Sequence, residues 1–311
     1  MRRFKNILAV YHDDFGSDDV FTQSVSLAKA NNARLTLLEV IQDRYATTAW
    51  VQEREKRLKR LVPAMHAAGV TDAHVATCVG TPFIEIIKHV LRNGHDLVIA
   101  SPEQTRTDRG FYAGTTIAHL VRKSPCPVWS VKPDSQGHYS RILACVDPKT
   151  GDNPDDSLDI KLLQLASSLA EANGAELHVV HAWEVEGPDR DRLRSELPDK
   201  TREEIMEKHQ AMHRGRVQRV MDQLPSFAVE PTLHLPKSEP HDAIVDLVRE
   251  LSVDLVVMGS VNRTGISGFF IGSAAEGVLT SVRCSLLTVK PEGFRTPVVL
   301  DDYPSERVGS L

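Results

Sequence analysis

A 14-residue segment that follows the apolar run "LVVM" contains four glycines: Gly259, Gly265, Gly268 and Gly272. Glycines let a backbone approach a ligand closely, and successive N–H groups can form an anion-binding nest. Ser273 stands next at a predicted helix start, with Glu276 at the spacing of a capping box. A helix N-terminus suits phosphate, and Arg263 adds a charge-assisted contact. The segment indicates a phosphate-binding loop; a loop with turn-forming glycines only is the alternative.

The position and length of this loop favour a binding role. It leaves the end of a predicted strand and runs well beyond the two to six residues that typically join a strand to a helix. Neither established phosphate fingerprint is present, because the loop has no GxxxxGK[ST] and no GxGxxG. The glycines therefore leave phosphate binding as one of two readings.

The histidines and cysteines do not indicate a metal site or a catalytic nucleophile. His209 and His213 lie four apart, as metal ligands can, but no HExxH forms and we predict a solvated helix face. His178 and His181 are three apart on a strand and point to opposite faces, although His181 could line a pocket. No G-x-S-x-G is present. Cys126 and Cys284 are expected to be small core residues.

Composition bounds the class of protein. A chain of 311 residues with 41% hydrophobic and 25% charged residues is expected to form two globular cores. A net charge of −5 argues against nucleic acid as the partner. The apolar runs are too short for a membrane span, and the N-terminal one is too short for a signal peptide, so we expect a cytoplasmic protein with no membrane partner.

The chain is a tandem duplication. Residues 82–133 and 240–291 align without a gap at an offset of 158, with 13 identities in 52 positions. Gly114 falls on Gly272 in this register, and Cys126 falls on Cys284. Earlier segments match at smaller offsets, "LAKANNARLTLLEV" with "LAEANGAELHVVHA" among them. The copies are joined by the linker-like "KPDSQGHYS".

Each copy alternates short apolar runs with longer amphipathic ones, which predicts an α/β fold with a parallel sheet. The strands predicted in the second copy are 141–146, 176–182, 228–234, 254–258 and 285–289. The predicted helices are 158–173, 201–223, 241–251 and 274–282. Ligands of such sheets lie beyond the carboxyl ends of the strands.

The residues of the loop also resemble a known pattern. Gly259, two residues, Asn262, nine residues and Gly272-Ser273 are similar to the nucleotide loop of the universal stress protein family, G-x2-G-x9-G-[ST]. The resemblance covers nearly all of residues 4–291, through "RILACVD", "HVVHAWE" and "LLTVKP", and is strongest to the tandem E-type bacterial members.

The resemblance implies two tandem Rossmann-like (adenine nucleotide alpha hydrolase-like) domains, each a five-stranded parallel sheet with flanking helices. The expected units are a first domain at 1–135, a second at 139–291 and a tail at 292–311. It also implies pairing of the units through residues 128–131 and 286–289 as an intrachain pseudo-dimer, with further homodimerisation left open.

The family's ligand is implied to be ATP or a related adenine nucleotide, with or without Mg²⁺. Its adenosine contacts fall on Asp147, Ala182 and Met258. Its phosphate contacts fall on the first residue of the loop, Gly259, and on three consecutive residues at the other end of the loop: Gly272, Ser273 and Ala274. Asn262 replaces a pattern glycine; asparagine tolerates a left-handed backbone, but its side chain takes space near the phosphates.

The first copy departs further from the pattern. Ser101 and Gln104 replace its first two glycines, and His12 stands where Asp147 stands, while Gly114-Thr115 is kept. We expect a stress-response protein that binds nucleotide in the second domain and is not an enzyme. The alternatives are a slow ATPase or phosphotransferase, and a stress protein whose first domain binds another ligand such as a lipid or a nucleotide sugar.

Overall fold

The computed structural model describes residues 3–12, 17–43, 46–102, 106–107, 110–111, 115–132, 137–151, 155–193, 197–260 and 272–300. Its strands are β1 Asn6–Val10, β2 Arg34–Ile41, β3 Ala73–Val79, β4 Leu97–Ala100, β5 Arg106–Thr107, β6 Gly110–Phe111, β7 Val128–Ser130, β8 Arg141–Cys145, β9 Glu176–Val180, β10 Thr232–His234, β11 Leu255–Gly259 and β12 Ser285–Val289. Its helices are α1 Ser17–Asn31, α2 Thr48–Lys59, α3 Val62–Ala67, α4 Pro82–Asn93, α5 Thr115–Lys123, α6 Ser157–Asn173, α7 Pro188–Arg192, α8 Asp199–Met221, α9 Pro240–Glu250 and α10 Ser273–Ser281.

Ten strands form one sheet, in the order β10-β9-β8-β11-β12-β7-β4-β1-β2-β3. Every neighbouring pair is parallel except β12 and β7, which are antiparallel. Each copy thus supplies a five-stranded parallel half with the same order. The predicted fold class, two tandem Rossmann-like α/β units, is confirmed.

Apolar side chains on both faces of the strands bury the sheet between two layers of helices. The run "LVIA" of β4 is buried at all four positions, as expected of a strand covered on both sides. The expectation of two separate cores needs correction. Each of the two large clusters of buried side chains contains residues from both copies, because the β7–β12 pairing joins the halves into one sheet.

Side chains on both sides of the junction are fully buried. Trp129 of β7 pairs in register with Leu287 of β12, and its ring stacks on Tyr139 at 5.8 Å. The Tyr139 hydroxyl donates to Ser285 Oγ at 3.3 Å, which ties the start of the second copy to its last strand. The two copies therefore form a continuous structure through their final strands.

A buried lysine crosses the junction. Lys290, just after β12, donates through Nζ to the carbonyl oxygens of Val121 at 2.7 Å and Arg122 at 3.1 Å. These carbonyls end α5 of the first copy, where a helix favours a cation. The Phe294 ring lies 4.3 Å from the same ammonium group. Burial lowers the pKa of Lys290 to about 8.

Some predicted bounds differ from the structure. The predicted strand at 228–234 is reduced to Thr232–His234. Pro231 lacks the N–H that a ladder bond would need, so the strand begins after it. Strand β9 ends at Val180, which places His181 and Ala182 beyond the sheet. In the part of the chain that the structure describes, no helix has the length and apolar character to cross a membrane.

Replacing Lys290 with methionine tests the junction. Lys290→Met leaves the Val121 and Arg122 carbonyls without this donor, and we expect a loss of about 1–3 kcal/mol of stability. Urea denaturation followed by circular dichroism measures it. Lys161→Met, at an exposed position of α6, is the control and should change stability by less than about 0.5 kcal/mol. Equal effects of the two substitutions would contradict the role of Lys290.

Candidate functional site

A cavity of about 310 Å³ lies at the switch point of the second half-sheet. Strand β8 stands between β9 and β11, and the chain proceeds from β8 first to one side and later to the other. The crevice that opens beyond the carboxyl ends of such strands is where α/β sheets bind ligands. Residues that end or follow β8, β9 and β11 line this cavity.

The structure brings together six of the nine residues expected to contact nucleotide. They line the same cavity: Asp147, Ala182, Met258, Gly259, Gly272 and Ala274. Ser273 is the first residue of α10, between two of them, and its side chain is not among those described. Asn262 and Arg263 lie outside the described residues.

The two ends of the glycine-rich loop are held together. The Gly272 N–H donates to the Ser260 carbonyl oxygen at 3.2 Å, directly after β11. The predicted capping box is wrong, because Gly272 occupies the N-cap position and no side chain caps α10. Glu276 instead forms an ion pair with Arg122 of the first copy. The first N–H groups of α10 are left uncapped beside the cavity, which Gly272, Ala274 and Ala275 line.

Gly259 lies close to the opposite wall. A Cβ at this position would stand 3.1 Å from Leu158 Cδ2, tighter than an ordinary contact. A larger residue would therefore require Leu158 of α6, which also lines the cavity, to shift. The glycine at the end of β11 thus lets the strand end lie close to this wall.

A buried carboxylate supports the other end of the site. The Asp147 backbone N–H donates to Asp159 Oδ1 at 3.0 Å, and Asp159 is buried at the start of α6. This contact fixes the chain after β8. Burial raises the pKa of the neighbouring Cys145 thiol above its ordinary value, which keeps the thiol protonated and unreactive.

Three polar residues of the cavity were missed from the sequence: Asp159, Glu239 and His241. His241 is held by two partners, with Nδ1 2.9 Å from Asp242 Oδ1 and Nε2 3.1 Å from Ser281 Oγ. Its ring lies against Gly277, where a Cβ would come within 2.5 Å of the imidazole. Only a residue without a side chain lets His241 lie this close to α10.

The repeat contained a signal for His241. At the offset of 158, His241 corresponds to Phe83 and Gly277 to His119. Phe83 and His119 stack at 4.2 Å in the first copy, and Lys123 Nζ lies 4.5 Å from the Phe83 ring. A bulky stacked pair thus occupies the groove between α4 and α5 where the second copy has an imidazole against a glycine.

A second, more open cleft of about 610 Å³ adjoins the cavity and shares Asp147, Ala182, Glu239 and Pro240 with it. The prediction of a solvated helix face for His209 and His213 is wrong, since both are buried, and His213 lines this cleft. His213 Nδ1 lies 2.9 Å from His181 Nε2. His209 Nε2 lies 3.2 Å from Asp189 Oδ2. Helix α8 folds back over the sheet and turns these histidines inward.

Among the residues described, no group of three or more His, Cys, Asp or Glu side chains is arranged to hold a metal ion. Cys126 and Cys284 are buried as expected, and burial raises the pKa of each thiol to about 12. Neither thiol is poised for chemistry.

Histidines lie in close pairs at several places in the described part of the chain: His89–His95, His178–His234 and His181–His213. Burial lowers the pKa of five of the six rings, His95 to about 4, and the partner ring or a nearby arginine lowers it further. A lowered pKa means that the folded chain binds fewer protons than the unfolded chain below about pH 6.5. The contribution of these histidines to the free energy of unfolding is therefore fully present above about pH 6.5 and is lost as the pH falls toward 4.

Acid titration of stability checks this. We expect the urea concentration at the unfolding midpoint to decrease as the pH is lowered from 7 to 4.5. In His95→Gln this decrease should be smaller, because the unfolded chain then gains one proton less. His138→Gln is the control, because His138 is exposed. If the two variants follow the same pH curve, burial of His95 is not a source of the acid sensitivity.

Two parallel α/β halves, each with a switch point, define a tandem Rossmann-like protein. The model of the universal stress protein family matches residues 3–132 and 138–290, and the chain belongs to that family. It is 32% identical over 257 residues to universal stress protein E of Escherichia coli strain K12, and the aligned segment covers 82% of this chain and 77% of that protein. Universal stress protein E of Photorhabdus laumondii is 23% identical, and the alignment covers 96% of this chain and 98% of that protein.

Known structures share the fold over nearly the whole chain. A functionally unknown protein from Pseudomonas aeruginosa PAO1 has a TM-score of 0.73 at 22% identity, covering 93% of this chain and 94% of that one. A universal stress protein from Archaeoglobus fulgidus has a TM-score of 0.63 at 20% identity, covering 92% and 98%. The resemblance inferred from the loop and the duplication is confirmed.

Proposed function

We propose that the second copy binds ATP or a related adenine nucleotide, and that the protein acts in the stress response through this binding rather than through rapid turnover. The observation that carries the proposal is the cavity at the switch point, which Asp147, Ala182, Met258 and Gly259 line together with the N-terminus of α10. A crevice with apolar walls and an uncapped helix N-terminus suits an adenosine joined to phosphates.

Each end of the cavity has a distinct task in this proposal. The phosphates lie against Gly259, Gly272 and the first N–H groups of α10, and Ser273 and Ala274 contribute from the same turn. The base and ribose lie toward Asp147 and Ala182, between the apolar side chains of Leu162 and Ile244. Asn262 and Arg263 are the remaining proposed phosphate contacts, and they are named from the sequence pattern of the loop alone.

Mg²⁺ accompanies the nucleotide rather than preceding it in this proposal. The described residues hold no cluster of three ligating side chains, whereas Mg²⁺ in nucleotide sites is commonly held by phosphates and one or two carboxylates. The carboxylates that line the cavity are Asp147, Asp159 and Glu239.

The first copy serves as a structural partner in this proposal. His12 and Ser101 stand at the positions of Asp147 and Gly259, and neither keeps the family pattern. Phe83 and His119 fill the groove that His241 borders in the second copy. One nucleotide per chain is therefore the expected stoichiometry.

Gly272→Val tests the phosphate end. Gly272 has φ −60° and ψ 138°, which valine adopts readily, so the fold should persist while the side chain obstructs the helix N-terminus. We expect ATP affinity, measured by isothermal titration calorimetry, to fall at least about tenfold, the equivalent of 1.4 kcal/mol. Gly114→Val, at the corresponding position of the first copy, is the matched control. Equal ATP affinity in the two variants would place the nucleotide elsewhere.

Asp147→Ala tests the adenosine end. Loss of a hydrogen bond to a charged group costs about 1.5–3 kcal/mol, and we expect ATP affinity to fall roughly 10- to 100-fold. Asp155→Ala, at an exposed carboxylate eight residues further on, should leave the affinity unchanged. Binding of adenosine alone, compared with ATP, separates this contact from the phosphate contacts.

Slow phosphoryl transfer is the second candidate, because Glu239 and His241 bring two potential general bases to the cavity. Multiple-turnover release of phosphate decides between the two. We expect rates below about 1 s⁻¹, the low end for enzymes. Faster release that is abolished by His241→Gln or Glu239→Gln, but not by His74→Gln, would instead make the protein an ATPase.

A further inference from the structure

The second cleft is built by a part of the chain that the first copy lacks in this form. Between β9 and β10 the chain runs through α7 and the 23-residue helix α8, whereas the first copy has only α2 and α3 between β2 and β3. Residues 183–190 and α8 supply one wall of the cleft, and the chain after β8 supplies the other. The cleft opens directly into the nucleotide cavity along Asp147, Ala182, Glu239 and Pro240.

Arg216 of α8 presents a guanidinium group on the cleft wall. Its side chain is only 15% exposed, Nη2 donates to Met212 Sδ at 3.4 Å, and Nη1 lies 3.5 Å from His213 Nδ1, at the outer limit of a hydrogen bond. Its nearest carboxylate, Glu186, is 3.7 Å away and largely exposed. So long an ion pair with an exposed partner contributes little, and an incoming anion could replace it. Lys149 and Arg190 add positive charge around the same cleft, and Lys149 lies 3.6 Å from Asp155. Four carboxylates also line the cleft, so an anion must bind at Arg216 rather than be attracted by an overall positive surface: Asp147, Glu184, Glu186 and Glu239.

The two buried histidines provide a donor that depends on a proton. His181 Nδ1 lies 3.3 Å from the Val146 carbonyl oxygen, which can only accept, so this nitrogen carries a hydrogen. The 2.9 Å contact between His181 Nε2 and His213 Nδ1 needs one hydrogen, which His213 supplies in the neutral pair. His213 Nε2 is then an acceptor, buried and without a hydrogen bond of good geometry, although the backbone of Glu184 lies close to the ring.

Protonation of the pair would turn this nitrogen into an N–H donor. Burial and Arg216 oppose that proton, and together they lower the pKa of both rings. The carboxylates of Asp147 and Asp159 near His181, and of Glu186 near His213, favour it. An anion beside Arg216 would tip this balance, because it neutralises the guanidinium that opposes the proton, while the Glu184 backbone accepts from the protonated ring.

We propose that this cleft is a phosphoryl-binding subsite, in which Arg216 is the main contact and the His213–His181 pair takes up a proton as the phosphoryl group binds. The group comes from one of two sources. It is either a second phosphoryl group of the adenine nucleotide in the adjoining cavity, a case that rests on the proposed nucleotide site, or a free phosphate that needs no nucleotide.

Calorimetry on the full chain tests the proposal with three probes: AMP, adenosine 3′,5′-bisphosphate and inorganic pyrophosphate. For the nucleotide source, we expect the bisphosphate to bind at least about tenfold more tightly than AMP at pH 6.5, the equivalent of 1.4 kcal/mol. For the free source, we expect pyrophosphate to bind alone. In both cases the binding enthalpy should vary with the ionisation enthalpy of the buffer, because a proton is taken up.

Variants on α8 and at the mouth of the cleft distinguish a specific contact with Arg216 from the effect of removing any positive charge from this helix. Arg216→Gln should abolish the preference for the bisphosphate, or the binding of pyrophosphate, and leave AMP affinity within about twofold. Arg214→Gln, an exposed neighbour on the same helix, is the matched control and should change neither. Glu186→Gln should strengthen binding, because it removes the carboxylate that competes for Arg216. His213→Asn should remove the buffer dependence of the enthalpy.

The outcomes separate the two proposals. If AMP does not bind but pyrophosphate does, and Arg216→Gln abolishes it, the cleft proposal stands and the nucleotide proposal fails. If AMP and the bisphosphate bind equally and pyrophosphate does not bind, the cleft proposal is overturned while the nucleotide proposal stands. Equal losses in Arg216→Gln and Arg214→Gln, or weaker binding in Glu186→Gln, would also overturn the cleft proposal.

Discussion

The antiparallel pairing of β7 with β12 is the constraint on which the rest of the structure depends. Either half-sheet alone would leave its final strand as an open edge, with unpaired N–H and C=O groups. Pairing the two edges removes this exposure, buries Trp129 and Tyr139 and merges the cores on both faces. Because the pair is antiparallel, the strands of the two halves run in opposite directions. The carboxyl ends of the strands in the two halves therefore point in opposite directions along the strand axis, and so do the crevices at the two switch points.

The duplication keeps positions while it changes their chemistry. At the offset of 142, Glu39 of β2 corresponds to His181, and each contacts a helix of the segment between the second and third strands of its copy. Arg54 of α2 forms an ion pair with Glu39 at 3.3 Å. His213 of α8 lies 2.9 Å from His181, a pair whose charge depends on pH. The same location thus supports the sheet in one copy and borders a cleft in the other.

The sequence predicted the fold better than the faces of its helices. Buried strands such as β4 and β11 were recognisable because their apolar runs are continuous and the repeat aligns them. The inward direction of His213 was not, since α8 is polar on most of its surface and its path over the sheet is a tertiary property. The capping role given to Ser273 failed for a similar reason, because Gly272 already occupied the N-cap.

Lys290 and Lys132 occupy equivalent positions in the repeat, yet their contacts differ. Lys290 reaches through its ammonium group to the end of α5, while the Lys132 backbone N–H donates to Ser285 Oγ at 3.1 Å. In a homodimer of identical chains, one substitution at such a place alters both sides of the interface together. A fused pair is released from that symmetry, and each half can accept a change that its twin would not tolerate.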